Sequence, residues 1–206
     1  MLFITFLVPC TYMFFSYLDY SFNPISYQQN QTLPRAWKTL IWNLWFWYPL
    51  SLLILQYYVP IHSNFHSWTK ELLSMAIEVV WGEIWFYTCH RLCHTKMGYA
   101  IHKKHHEIRE PIGILALYAH PIELIVVNSG SVYITHCIFQ HSLFHIIITI
   151  VGGLMNTILY SHSSQTQKEH YMHHKYHNVE FGWSLFMDQL FGTQCKGFKS
   201  EKGKLR

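Results

Sequence analysis

Residues 124–167 read LIVVNSGSVYITHCIFQHSLFHIIITIVGGLMNTILYSHSSQTQ, and these 44 residues contain no Asp, Glu, Lys or Arg. A bilayer crossing needs about 20 apolar residues, so the run has room for two. Two further charge-free stretches precede it, residues 1–18 before Asp19 and residues 39–69 between Lys38 and Lys70. Charged residues make up only 13% of the chain, against about 25% in an ordinary soluble domain. Leu40–Leu55 (LIWNLWFWYPLSLLIL) adds the Trp and Tyr that gather at membrane–water boundaries. A soluble core can be aromatic, but it is not usually uncharged for so long. The reading is an all-α integral membrane protein with four to five transmembrane or re-entrant helices, at about 1–18, 39–59, 72–90, 114–134 and 143–161. Pro121, Glu123 and Gly130 interrupt segment 114–134, which reads as a crossing or as a re-entrant or surface helix. With 143–161 it would form a helical hairpin turning near Thr135–Ser142. Residues 1–70 are read as N-terminal membrane anchor helices and residues 71–206 as a histidine-rich domain that caps the membrane.

Orientation follows from Lys and Arg, which stay on the cytosolic side. In this arrangement Lys70 alone of the 15 basic residues falls on the far side. Arg35, Lys38, Arg91, Lys96, Lys103, Lys104, Arg109 and the C-terminal lysines share the other. A basic rim facing anionic lipid accounts for the net charge of +4 without a nucleic-acid partner. No basic residue precedes the first apolar run and no small-x-small cleavage site follows it, so it reads as an anchor rather than a signal peptide. Cys10, Cys89, Cys93, Cys137 and Cys195 are odd in number and widely scattered, which does not suggest a disulfide framework.

Sixteen histidines are a large excess, and their placement says more than their number. His90 and His94 are spaced i, i+4; His102, His105 and His106 follow as HKKHH; His170, His173 and His174 repeat that spacing as HYMHH. Positions i, i+3 and i+4 share a helix face, so each cluster is expected to aim its imidazoles at a common point. Neutral imidazole is the commonest metal-ligating side chain and suits iron, zinc, copper and nickel. Eight clustered histidines are too many for one ion and about right for two. A lone histidine is usually a capped or surface residue, and His62, His66, His136, His141 and His145 are read that way. A zinc protease would show H-E-x-x-H, but Glu110 stands where the second histidine should follow His106–Glu107. A zinc finger needs paired cysteines; Cys89 and Cys93 point about 100° away from the His90/His94 face. Glu83, Tyr87, His90 and His94 lie on one helical face, so Glu83 and Tyr87 are candidates to support a ligand imidazole from behind. Glu78 has no assigned role.

Together these words resemble the fatty acid hydroxylase superfamily in its sterol desaturase branch, close to C4-methylsterol oxidases and fatty acid hydroxylase domain-containing proteins. EIWFYTCHRLCH (83–94), IHKKHHEIREPIGILALYAHPIE (101–123) and EHYMHHKYHNVEFG (169–182) look like its three histidine boxes in order, with MDQLFGT (187–193) closing. The resemblance implies an endoplasmic-reticulum membrane protein, its boxes and C-terminus facing the cytosol. It implies a site with two iron ions, molecular oxygen as co-substrate, and attack on an unactivated C–H bond of a sterol or fatty acyl lipid. Electrons would come from NAD(P)H through a reductase and a b-type cytochrome. It also implies that His90, His94, His102, His105, His106, His170, His173 and His174 are ligands. His162 stands where the family has a further histidine, and His120 matches the family's His-Pro-x-Glu word as a ligand or outer support. His177, one turn beyond the third box, stays open. The chain departs from the family at Ser163-Ser164-Gln165, in the seven residues between His162 and His170, and at Tyr171. Residues 202–206, KGKLR, resemble a K-x-K-x-x retrieval signal. Two other functions compete: a membrane metal-binding or transport protein, and a catalytically weakened regulatory relative.

Overall fold

The computed structural model of the chain describes residues 2–59, 61, 64–163 and 169–195. The expectations on His62, Ser164, Gln165 and the 202–206 tail therefore lie outside the described residues. Every regular element among the described residues is helical. Helix α1 (Leu2–Phe22) leads into the short α2 (Pro24–Gln29). Asn30 Oδ1 then accepts the backbone N–H groups of Thr32 and Leu33 at 3.0 and 2.9 Å, satisfying donors that open α3 (Leu33–Trp42). A wider π turn at Asn43–Trp47 carries α3 into α4 (Tyr48–Tyr58) without a break. Ser67 caps α5 (Trp68–Cys93), the longest helix, and α6 (Tyr99–His102) follows it. Helix α7 (Gly130–Phe139) and α8 (Leu143–Met155) are joined by a turn within the expected 135–142 stretch, with Gln140 in the left-handed conformation, and pack mainly on α5 and on α1 respectively. A second π turn extends α8 to Ser161. Helices α9 (Glu169–Tyr176) and α10 (Leu185–Phe191) close the fold, and Gly192 ends α10 at φ 66°, a value that suits glycine.

Two helical segments, Trp68–Cys93 and Leu143–Ser161, are long and apolar enough to cross a membrane. Only 28% and 22% of their apolar windows are buried inside the protein. The core helix of a soluble protein would be mostly buried; these present apolar surface outward, as Leu72, Leu73, Val79, Val80 and Ile84 do on α5.

Segment 114–134 is not one continuous helix. It comprises a short 3₁₀ turn at Gly113–Leu115, a loop, a π turn at Glu123–Asn128 and the start of α7. The loop is buried instead: Ile108, Ile112, Leu115, Leu117 and Ala119 are almost wholly covered. A buried loop needs partners for its backbone groups, and the N-terminal helices provide them. Asn43 Nδ2 donates to the carbonyls of Leu117 and Ala119 at 2.7 and 2.9 Å, and Asn30 Nδ2 donates to that of Glu110 at 2.7 Å. The Tyr12 hydroxyl donates to the Ile114 carbonyl at 2.5 Å. Asp19, buried on α1, accepts the Gly113 N–H at 2.7 Å and the Tyr27 hydroxyl at 2.8 Å. A side chain at position 113 would push into Asp19 and Ile158, so glycine is required there by close approach. The N-terminal helices α1 to α4 therefore share one apolar core with the 108–119 loop and α8.

Candidate metal centre

The three histidine boxes meet where the C-terminal end of α5, residues 102–107 and α9 converge. Nine imidazoles sort into two groups, His90, His94, His102, His106 and His173 in one, and His105, His162, His170 and His174 in the other. Within each group one potential ligand atom per residue lies within 4.8 Å of all the others. Each His-x-x-His-His cluster is split between the groups rather than aimed at a common point. His102 and His106 go one way and His105 the other; His170 and His174 go one way and His173 the other. The physical reason is angular: i+3 and i+4 neighbours differ by about 100° around the axis, so their side chains diverge.

The chemistry of the outer ring nitrogens shows that the inner ones suit a cation. His90 Nδ1 donates to the Phe181 carbonyl at 2.7 Å, His173 Nδ1 to that of Val179 at 2.7 Å, and His162 Nδ1 to that of Thr157 at 3.0 Å. A carbonyl only accepts, so each of these Nδ1 atoms carries the proton and the neutral ring offers a bare lone pair at Nε2. Within the groups Nε2 atoms face one another: His94 to His173 at 3.2 Å, His106 to His94 at 3.2 Å, His90 to His102 at 3.1 Å and His174 to His170 at 3.0 Å. Lone pairs at such distances repel unless a cation lies between them. Metal–nitrogen bonds of about 2.0–2.1 Å in a tetrahedral site place ligand atoms about 3.3 Å apart, close to the spacings observed.

Burial, reinforced by the neighbouring imidazoles, pushes His94 and His162 down to about 3 and His102 and His105 to about 4. Burial and the same crowding hold His106, His170, His173 and His174 well below the ordinary imidazole value. The rings are thus kept neutral, the form that binds metal. In the unfolded chain they take up a proton near 6.5. Between that value and about 4 the unfolded state holds more protons, so stability rises with pH across this window and is lost as pH falls through it. Protein stripped of metal by a chelator is expected to unfold at a progressively lower temperature from pH 7 to pH 5, read by intrinsic fluorescence in detergent.

The supports differ from those expected. Glu83 touches no imidazole; its carboxylate accepts the backbone N–H groups of Ser184 and Met187 at 3.1 and 3.3 Å and so holds the start of α10. Tyr87 also faces away from the histidines, bonding Thr193 Oγ1 at 3.1 Å and accepting from the Arg91 guanidinium at 2.9 Å. The carboxylate against a ligand-type imidazole is Glu123, whose Oε1 lies 2.9 Å from His102 Nδ1 with both side chains buried. Its signal was in the His-Pro-x-Glu word, where reading from the histidine alone missed it. His120 stays outside both groups, and its Nδ1 accepts the Ile122 N–H at 3.2 Å. His177 stacks on the His106 ring at 4.3 Å without joining either group. His177 and Glu180 both adopt positive φ, 65° and 55°. This costs about 1–3 kcal/mol each for such residues, and the turn so formed presents the Val179 and Phe181 carbonyls to His173 and His90.

Glu123→Gln is expected to weaken metal retention or turnover about 10–100-fold, the usual cost of losing such an outer partner. Metal content after dialysis against a graded chelator checks it.

The fold and the site together define a helical protein with two convergent histidine groups at one end of a long apolar helix. The family model for the fatty acid hydroxylase matches residues 75–193, more than half of the sequence, and the chain belongs to that family, in its sterol desaturase-like branch. It is 36% identical over 138 residues to the Homo sapiens fatty acid hydroxylase domain-containing protein 2, covering 64% of this chain and 41% of that one. It is 29% identical over 199 residues to methylsterol monooxygenase 1 of Gallus gallus, covering 84% and 66%. It is 37% identical over 91 residues to the C-4 methylsterol oxidase of Candida albicans, covering 43% and 28%. The chain spans about half the length of the first of these relatives or less. No solved structure matches it significantly.

Proposed function

We propose that the chain is an oxygen-dependent oxidoreductase that hydroxylates a membrane lipid, or oxidises a methyl group on one, of sterol or fatty acyl type. The observation that carries this reading is the pair of histidine groups in which the Nδ1 atoms of His90, His173 and His162 are committed to backbone carbonyls and the inner nitrogens face one another. His90, His94, His102, His106 and His173 would hold one iron ion, and His105, His162, His170 and His174 the other. Imidazole donors alone would also suit zinc; iron is favoured by the family and by relatives named as monooxygenases and oxidases. Bound iron would supply the activation of molecular oxygen that an unactivated C–H bond requires.

The protein's own residues supply position and dryness. The Val179, Phe181 and Thr157 carbonyls fix the tautomer and plane of the rings they receive, so the ligand set is ordered before substrate arrives. Burial of His90, His102, His105, His173 and His174 keeps bulk water from the centre. A cavity of about 560 Å³, lined in part by Tyr87, Arg91, His94, Phe181 and Phe191, reaches the first group from outside. Its mixed aromatic and polar wall suits a lipid carbon presented beside a polar headgroup.

The same reading places the protein in the endoplasmic-reticulum membrane, crossed four to five times, with the histidine end in the cytosol. Arg91, Lys96, Lys103 and Lys104 flank the histidines in the chain and would attract an acidic electron donor such as a b-type cytochrome or a reductase.

Protein purified in detergent or nanodiscs is expected to carry two iron ions per chain. It is also expected to consume oxygen when given reductase, NAD(P)H and the right member of a panel of methylsterols, fatty acyl lipids and sphingoid bases. Absence of bound transition metal would overturn the reading. Bound metal without oxygen consumption on any lipid would favour a metal-binding or regulatory role instead.

A further inference from the structure

The opposite end of α5 carries a second kind of cluster. Glu78 lies 12 residues before His90, about 18 Å along the helix at 1.5 Å per residue. There the α7–α8 turn brings in His141 and His145, which the sequence reading set aside as bystanders. Both are almost wholly buried, as are Glu71 and Glu78. The two imidazoles stack in parallel, 3.7 Å between centroids and 7° between planes. His145 Nε2 lies 2.6 Å from Glu78 Oε2, and His141 Nε2 lies 3.6 Å from the same oxygen. His141 Nε2 is buried with no hydrogen-bond partner. One nitrogen from each imidazole and one Glu78 oxygen thus lie within 4.8 Å of one another.

We propose that Glu78, His141 and His145 form a third metal site, for a divalent transition ion of the zinc type, separate from the two histidine-box groups. The donor set is borderline in character, two imidazoles and a carboxylate, which zinc accepts with one position left open. Ligand atoms around such an ion stand roughly 3.3 Å apart, so loading would lengthen the 2.6 Å contact of His145 with Glu78 and turn the two rings out of their parallel stack. The outer face of the site is built as metal sites are. His145 Nδ1 lies 3.1 Å from Ser74 Oγ and 3.6 Å from Glu71 Oε2. Glu71 Oε1 in turn accepts the His66 backbone N–H at 3.0 Å and lies 3.0 Å from His66 Nδ1. This chain of carboxylate, imidazole and second carboxylate orients His145 from behind. Charge points the same way. Among the described residues the ion-pair partners of Glu71 and Glu78 are all histidines. Two buried carboxylates without a lysine or arginine need compensating charge, which a bound cation or protonated imidazoles supply. The sequence carries the same signal as the boxes, since His141 and His145 stand at i, i+4.

The test is a difference in metal content that does not depend on how many ions the boxes hold. Full-length wild type and His141→Ala, purified in detergent, are stripped, reloaded with zinc or cobalt, desalted and assayed for metal per chain. The expected result is one equivalent fewer in His141→Ala than in wild type. His141→Cys is expected to regain that equivalent and, with cobalt, to show a thiolate-to-cobalt charge-transfer band that wild type lacks. His173→Ala is expected to lose box metal while keeping this equivalent. Equal metal in wild type and His141→Ala would overturn the proposal and leave the cluster as proton-sharing ion pairs. If His141→Ala does not fold, the cobalt band of His141→Cys decides, and its absence overturns the proposal.

Discussion

His173→Ala is expected to abolish turnover and to empty the first histidine group of its metal. His173 is fully buried, and its Nε2 lies 3.2 Å from both His94 and His106. Its Nδ1 is tied to the Val179 carbonyl at 2.7 Å, so the ring cannot swing away and no neighbour can take its place. Losing an outer support typically costs about 10–100-fold, and losing a ring inside the group should cost more. The effect should exceed a thousandfold in activity, on the order of 4 kcal/mol of transition-state stabilisation. It should appear first as metal loss, read by elemental analysis, with helicity by circular dichroism close to wild type. His177→Ala is the control. His177 stacks on His106 but belongs to neither group, so its variant should keep its metal. If His173→Ala kept both metal and activity, the assignment of the box histidines as ligands would fail. If His177→Ala lost metal as completely, the division between ring-stacking and ligand positions would fail.

The sequence marked the apolar helices through their lack of charge and the histidine groups through the spacing of the boxes. Neither signal carried long-range information. The charge-free logic placed the helix Leu143–Ser161 where the structure has it, yet read 114–134, whose first residues belong to the buried loop, as a crossing or a re-entrant or surface helix. A window of apolar residues looks the same whether its backbone is satisfied within a helix or by Asn30 and Asn43 from far along the chain. The histidine spacing identified eight of the nine convergent residues, and the family resemblance supplied His162. It could not show how they divide, because His105 and His106 are adjacent in sequence and about 100° apart in direction. Glu83 was misread for a related reason. A carboxylate on the same helical face as His90 suggests a bond to that ring. The structure uses it instead to fix α10, whose position depends on a turn that no local pattern reveals. His141 and His145 were set aside because each was weighed alone; the stacking that joins them to Glu78 is a property of how the turn between α7 and α8 meets α5.

Asp188→Ala should have the largest effect on stability and a selective effect on metal. Asp188 is buried on α10 and accepts three hydrogen bonds, from the Phe181 N–H at 2.9 Å, the Gly182 N–H at 2.8 Å and the Thr193 hydroxyl at 2.7 Å. Removing it leaves these donors without their acceptor, each at a cost of about 1–3 kcal/mol, so a loss of about 3 kcal/mol or more is expected. Thermal unfolding of the detergent-solubilised protein should show it as a clear fall in apparent Tm, with Asp188→Asn intermediate because one acceptor oxygen remains. The consequence for the site follows from what Asp188 holds. Its bond to the Gly182 N–H fixes the peptide plane whose carbonyl, that of Phe181, receives His90 Nδ1, and the same turn carries the Val179 carbonyl that receives His173. Both rings belong to the first group. The second group is backed by the Tyr118 and Thr157 carbonyls, which lie on other elements. Asp188→Ala should therefore release the metal of the first group at a lower chelator concentration than that of the second, giving two resolved steps in a chelator titration. Parallel release of both would mean that the 177–193 turn supports the whole centre rather than one half of it.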